Sequence, residues 1–169
     1  ITADDKTREH DDENPELTYT TNVPIKGVPL LTTTATNTSP VGEYEITVEG
    51  GTVEGRFTTV AGKLTVTKAP LTIAGGTYTI KQGEAMPTFF ASYSGFKNGE
   101  TEEVLTQKPT LTTDATSASV PGAYEIAVSG AEAENYVISY VAGTLYIEEA
   151  DPVTVTASSY TREYGEEKL

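Results

Sequence analysis

Few side chains in this sequence could act as a nucleophile or a base. There is one histidine, and cysteine and tryptophan are absent. A hydrolytic triad needs a base beside its nucleophile, so His10 would have to serve. In two related segments of the chain the same position holds Gln82 and Tyr164. The scaffold therefore requires no base there, and His10 reads as a solvent-exposed surface residue. The carboxylate pairs Glu102/Glu103 and Glu148/Glu149 suggest glycoside hydrolysis, which needs two carboxylates facing each other across a cleft. Neighbours on a strand point to opposite faces, which argues against that chemistry. No P-loop, dinucleotide fingerprint or His-rich zinc pattern is present. Without cysteine there is no disulfide scaffold, thiol nucleophile or Cys-based zinc site. The reading is of no catalytic, cofactor-binding or metal residues and no enzyme.

Two clusters carry binding potential. The acidic stretch from Asp4 to Glu13 offers oxygens of the kind calcium takes six to eight at a time. Lys6 and Arg8 are interleaved, and the Asp-x-Asp-x-Asp-Gly spacing is missing, so a solvated face is the expectation. Phe89, Phe90, Tyr93 and Phe96 form an aromatic cluster. Exposed aromatics suit a carbohydrate or protein platform, whereas alternate members fit a core beneath a short helix, and the core is favoured for most of them. The stretch from Tyr93 to Gly99 protrudes beyond the minimal unit, which makes Tyr93, Phe96, Lys97 and Asn98 the candidate ligand-contact loop.

The elements that position these residues are set by an internal repeat. Pro29 to Thr36 recurs as Pro109 to Thr116, Gly42 to Gly50 as Gly122 to Gly130, and Val60 to Val66 as Val141 to Ile147. The entry segment Tyr78-Thr79-Ile80-Lys81-Gln82-Gly83-Glu84 recurs from Tyr160 to Glu166, and in diverged form from Lys6 to Asp12. The expected organisation is one repeat over 1–70, a second over 71–151, and the opening strand of a third over 152–169. Period-two alternation predicts strands over 71–74, 122–129, 136–141 and 144–149. Tyr124, Ile126 and Val128 should face one way, and Glu125, Ala127 and Ser129 the other. Gly62 and Gly143 read as tight hairpin turns needing positive φ. Residues 100–105 read as a short helix capped by Thr101 or Asn98. The junctions Lys68-Ala69-Pro70 and Glu149-Ala150-Asp151-Pro152 are too short and proline-restricted to coil, so adjacent units should be held semi-rigidly end to end.

Composition agrees. Thr, Val, Tyr, Gly and Pro dominate and the hydrophobic fraction is 37%, which gives a mainly β class. The net charge of −14 argues against nucleic acid and against anionic membrane surfaces. No apolar run approaches the roughly 20 residues needed to span a bilayer, so no membrane insertion is expected in this segment.

The Tyr-Gly-acidic turn at Tyr164-Gly165-Glu166 resembles that of MBG domains of the Tyr-Gly-x type. So do the loop Tyr93 to Gly99, the Pro-Gly-x-Tyr-x-Ile turn and strand, and the closing Asn135-Tyr136-Val137-Ile138 with Gly143-Thr144-Leu145. These domains occur in tandem in large fibrous surface proteins of bacteria. The resemblance covers almost the whole chain and implies an extracellular or cell-surface setting, but it carries over no ligand site. The first repeat departs from it, with His10-Asp11 in place of Tyr-Gly and no Gly-Phe-x-Asn-Gly loop. The expected fold is two tandem small β domains. Each is either an Ig-like sandwich or a β-grasp-like sheet with one short helix, and the helix over 100–105 favours the second. The leading function is a spacer or stalk. The alternatives are an adhesin repeat binding host glycan or mucin, and an accessory domain of a carbohydrate-active enzyme. Val153 to Ala157 is an orphan strand expected to support self-association by strand pairing.

Overall fold

The computed structural model describes residues 1–159, Thr161 and Tyr164. Gly165 and Glu166 of the last Tyr-Gly-acidic turn lie outside the described residues. The fold is mainly β. Six strands form the N-terminal half: β1 (Thr2–Ala3), β2 (Lys6–Glu9), β3 (Tyr19–Thr20), β4 (Leu30–Thr33), β5 (Gly42–Glu49) and β6 (Gly62–Thr67). Nine form the C-terminal half: β7 (Ala69–Ala74), β8 (Thr77–Lys81), β9 (Ser92–Ser94), β10 (Leu105–Gln107), β11 (Thr110–Thr112), β12 (Gly122–Ser129), β13 (Glu132–Ala133), β14 (Tyr136–Val141) and β15 (Gly143–Glu148). Among the described residues no sheet draws strands from both halves.

The two halves share a sheet plan. In the first, four strands are ordered β2-β6-β5-β4, and in the second β8-β15-β12-β11. In both, a long central strand pairs antiparallel with the closing strand, and the entry strand lies parallel on its far side. The second half adds a three-stranded sheet ordered β14-β7-β9 and a short β10-β13 pair. Its core lies between the layers. Leu71 and Ile73 of β7 and Tyr136 of β14 pack with Val128 of β12 and Leu105 of β10. Ile80, Ile126, Leu145 and Ile147 form the adjoining cluster with Ala115. In the first half Ile46 and Leu64 pack with Ala3 and Ala35. Along β12, Ile126 and Val128 are buried while Glu125, Ala127 and Ser129 are exposed, as the alternation predicts.

The repeat extends to turn chemistry. Ser39 N donates to Thr36 O at 2.9 Å, and Ser119 N to Thr116 O at 3.0 Å. Each turn is locked again by the serine hydroxyl accepting from the threonine amide, at 2.9 Å in both. Tyr44 donates its phenol to Pro40 O at 2.8 Å, and Tyr124 to Val120 O at 2.7 Å. A tyrosine that ties its strand to backbone four residues upstream holds a sheet corner closed.

Two expectations are corrected. Gly143 and Gly62 are not hairpin turns, and neither has positive φ. β7 and β8 run parallel to β14 and β15 with one register, Ala69 opposite Tyr136 and Lys81 opposite Glu148. The two chain segments therefore pass together from one sheet to the other. They cross where Gly143 meets Gly75 and Gly76: a Cβ on Gly143 would lie 2.5 Å from Gly76 O. Glycine stands there for close backbone approach. The second correction concerns 100–105, where the only helical element is one 3-10 turn, Glu102–Val104, whose N-cap is Thr101. With no α-helix among the described residues, each half is sandwich-like rather than β-grasp-like. Within the single chain, Val153 to Ala157 joins no sheet and exposes Val153 and Val155. Its counterpart β7 is held by β14, a strand 67 residues further along, and no such partner faces Val153 to Ala157 among the described residues.

Candidate functional site at the junction of the two halves

β6 ends at Thr67 and β7 begins at Ala69, so Lys68 alone links the halves. Ala69 is fully buried and its amide donates to Asn135 O at 3.0 Å. Two strands joined by one residue and both committed to ladders leave little freedom at the joint.

Glu9 closes β2, and the turn after it carries His10, Asp11 and Asp12. Its geometry is that of the turn after β8, where Gly83 has φ 92°, and Asp11 holds the same left-handed position at φ 60°. Aspartate is among the few residues that tolerate this region. His10 is 3% exposed, not a surface residue as expected. Its ring packs edge-on against Tyr136 of β14, with centroids 5.6 Å apart. Its Nε2 lies 3.4 Å from Glu100 Oε1 and 3.8 Å from Asp11 Oδ2, and its buried Nδ1 has no hydrogen-bond partner among the described residues.

The loop after β9 supplies the other side. Lys97 Nζ donates to Asp12 Oδ1 at 2.8 Å and lies 3.4 Å from Glu9 Oε2. Asn98, at φ 47°, donates its side-chain amide to Asp11 O at 2.9 Å. Tyr136 donates its phenol to Glu100 Oε2 and accepts the Lys97 amide at 3.0 Å. Beside this loop, Val41 N donates to Asn135 Oδ1 at 3.2 Å. Burial first, then the hydrogen bond to Glu100, pushes the Tyr136 phenol up to about 12. The hydrogen bond to Asp12 raises the Lys97 ammonium above its ordinary value.

Of the four loop residues singled out from sequence, Lys97 and Asn98 thus grip the first half. Phe96 stacks edge-on against Tyr136 and tilted against Tyr93, with centroids 5.6 Å apart in both pairs. Both rings are half-buried, and burial raises the Tyr93 phenol, helped by the Glu102 carboxylate. Phe89 packs on Tyr78, while Phe90 is 70% exposed. Sequence reasoning missed His10, Asp11 and Glu100 as a group. A signal existed: Arg8, His10 and Asp11 replace Ile80, Gln82 and Gly83 within a single turn.

A family model described as the MBG domain (YGX type) matches residues 1–65 and again residues 71–146. The chain belongs to the MBG domain family. The two matches coincide with the two halves of the fold, so each half is one MBG repeat, and the break between matches falls on the Lys68 joint. No curated protein matches the sequence. MBG domains are non-catalytic repeat domains of surface proteins. No helix among the described residues is long and apolar enough to cross a membrane. In the first repeat, the turn that carries His10, Asp11 and Asp12 is one of the elements that touch the second.

Proposed function

We propose that this chain is a spacer segment of an extracellular bacterial surface protein, in which tandem units over 1–70 and 71–151 hold other modules at a distance. The observation that carries the reading is the junction. A one-residue link is reinforced by Lys97 on Asp12 and Glu9, by Asn98 on Asp11, and by Tyr136 on His10. A flexible tether would need none of these contacts, whereas a strut needs resistance to bending. A glycan-binding role would draw on exposed aromatics, and Tyr93 and Phe96 instead spend much of their surface on each other and on Tyr136.

Small-angle scattering on the chain tests the reading. A single extended body should fit the wild type, and Lys97→Ala with Asn98→Ala should broaden the distance distribution. A compact globule or a freely jointed pair in the wild type would overturn it. A glycan array giving a specific signal that Tyr93→Ala abolishes would replace it with the adhesin reading.

A further inference from the structure

We propose that the junction binds one divalent cation of the zinc class, through His10 Nε2, Asp11 Oδ2 and Glu100 Oε1. The three ligand atoms lie within 4.8 Å of one another. Tetrahedral zinc with bonds of about 2.0–2.2 Å sets its ligand atoms about 3.3–3.6 Å apart. The imidazole nitrogen is already 3.4 Å from one carboxylate oxygen and 3.8 Å from the other, so small side-chain rotations close the shell, with solvent as the fourth ligand.

Charge points the same way. Lys97, the ammonium reaching across the junction, is committed to Asp12 and Glu9. That leaves Asp11 and Glu100 converging on one imidazole. The Asp11 side chain is 7% exposed, and its carboxylate accepts no hydrogen bond from the described residues. The neighbour of that carboxylate is the His10 imidazole, 3.8 Å away, and a bound cation would add the opposite charge that two converging carboxylates lack.

The surroundings fit a metal site as well. The Tyr136 phenol holds Glu100 Oε2, leaving Oε1 directed at His10. Outer hydrogen bonds of this kind orient metal-binding carboxylates. The Tyr136 ring fixes the plane of His10. One imidazole among three ligands selects zinc-like ions over calcium, which takes more oxygens. The second repeat has Gln82 and Gly83 at these positions, so the site belongs to this junction and not to the MBG unit.

The test is calorimetric titration of zinc into the chelator-stripped chain, with cobalt absorbance as a second readout. Saturable binding at one ion per chain and a tetrahedral cobalt band are expected. His10→Gln and Glu100→Gln should each weaken binding at least about tenfold, and Tyr136→Phe by about tenfold. Glu100→Gln keeps an acceptor for the Tyr136 phenol, so its fold is preserved, and a melting curve checks this. Absence of saturable heat and of the cobalt band would overturn the proposal. Binding that survives both substitutions would overturn it equally. The proposal rests on docked repeats, and scattering of the stripped chain reads docking separately. A rigid pair that binds no metal sinks the cation alone, whereas a freely jointed pair sinks the spacer as well.

Discussion

Arg8 occupies, in the first repeat, the core position that Ile80 fills in the second. It is 6% exposed and fully engaged: Nε donates to Asn14 Oδ1 at 2.8 Å, and the terminal nitrogens donate to Glu9 O at 2.9 Å and Thr36 O at 2.6 Å. Removing a buried charged donor strands the acceptors it satisfied. Arg8→Ala should cost about 2–4 kcal/mol, seen as a lowered first transition in a two-step thermal melt, with the second repeat unmoved. Tyr136 gives a second test at this scale. Its folded phenol titrates near 12 against an ordinary 10, so the folded state holds a proton that the unfolded chain has lost between these values. The contribution is fully present below pH 10 and is lost as pH rises toward 12, on the order of 2 kcal/mol. Denaturant melts in chelator should show this slope above pH 10, and Tyr136→Phe should flatten it.

At the scale of elements, the crossing at Gly75, Gly76 and Gly143 decides whether two sheets can be threaded by one pair of strands. A side chain on Gly143 would meet backbone at 2.5–2.7 Å on three atoms, whereas one on Gly122 meets nothing closer than 3.9 Å. Gly143→Ala should therefore cost about 1–3 kcal/mol or more by overpacking, and Gly122→Ala should stay within about 0.5 kcal/mol. Equilibrium unfolding of the two variants checks the contrast. The strands themselves were legible, since Ile126 and Val128 alternate with Glu125 and Ala127, and a buried face dictates that pattern. The role of Gly143 was not. A glycine between two strand patterns reads as a turn when both strands share a sheet. Here β14 and β15 lie in different sheets, a fact about pairing partners some 67 residues away. The 3-10 turn was visible as helix-forming acidic residues after a threonine cap, but three residues could not reveal how short it would stay.

At the scale of the whole molecule, the question is how two repeats in a chain with a net charge of −14 stay docked. The joint's cations are Lys97 and the linking Lys68, whose ammonium donates to Ala133 O at 3.1 Å; Glu9, Asp11, Asp12 and Glu100 are acidic, and repulsion at that density opposes contact. The acidic turn was legible as a charged segment, but its docking was not, because His10 and Glu100 stand 90 residues apart and no local period couples them. Lys97 is consequently the charge on which docking leans most. Its pairs with Asp12 and Glu9 are partly exposed, which limits each to about 1 kcal/mol or less. Lys97→Ala should destabilise the intact chain by about 1 kcal/mol yet leave an isolated second repeat unchanged, because its partners lie in the first. The difference should shrink as salt rises from low to physiological strength, since the Debye length falls to about 8 Å. A loss of equal size in the isolated repeat would mean that Lys97 stabilises its own loop and that the repeats are joined by Lys68 alone.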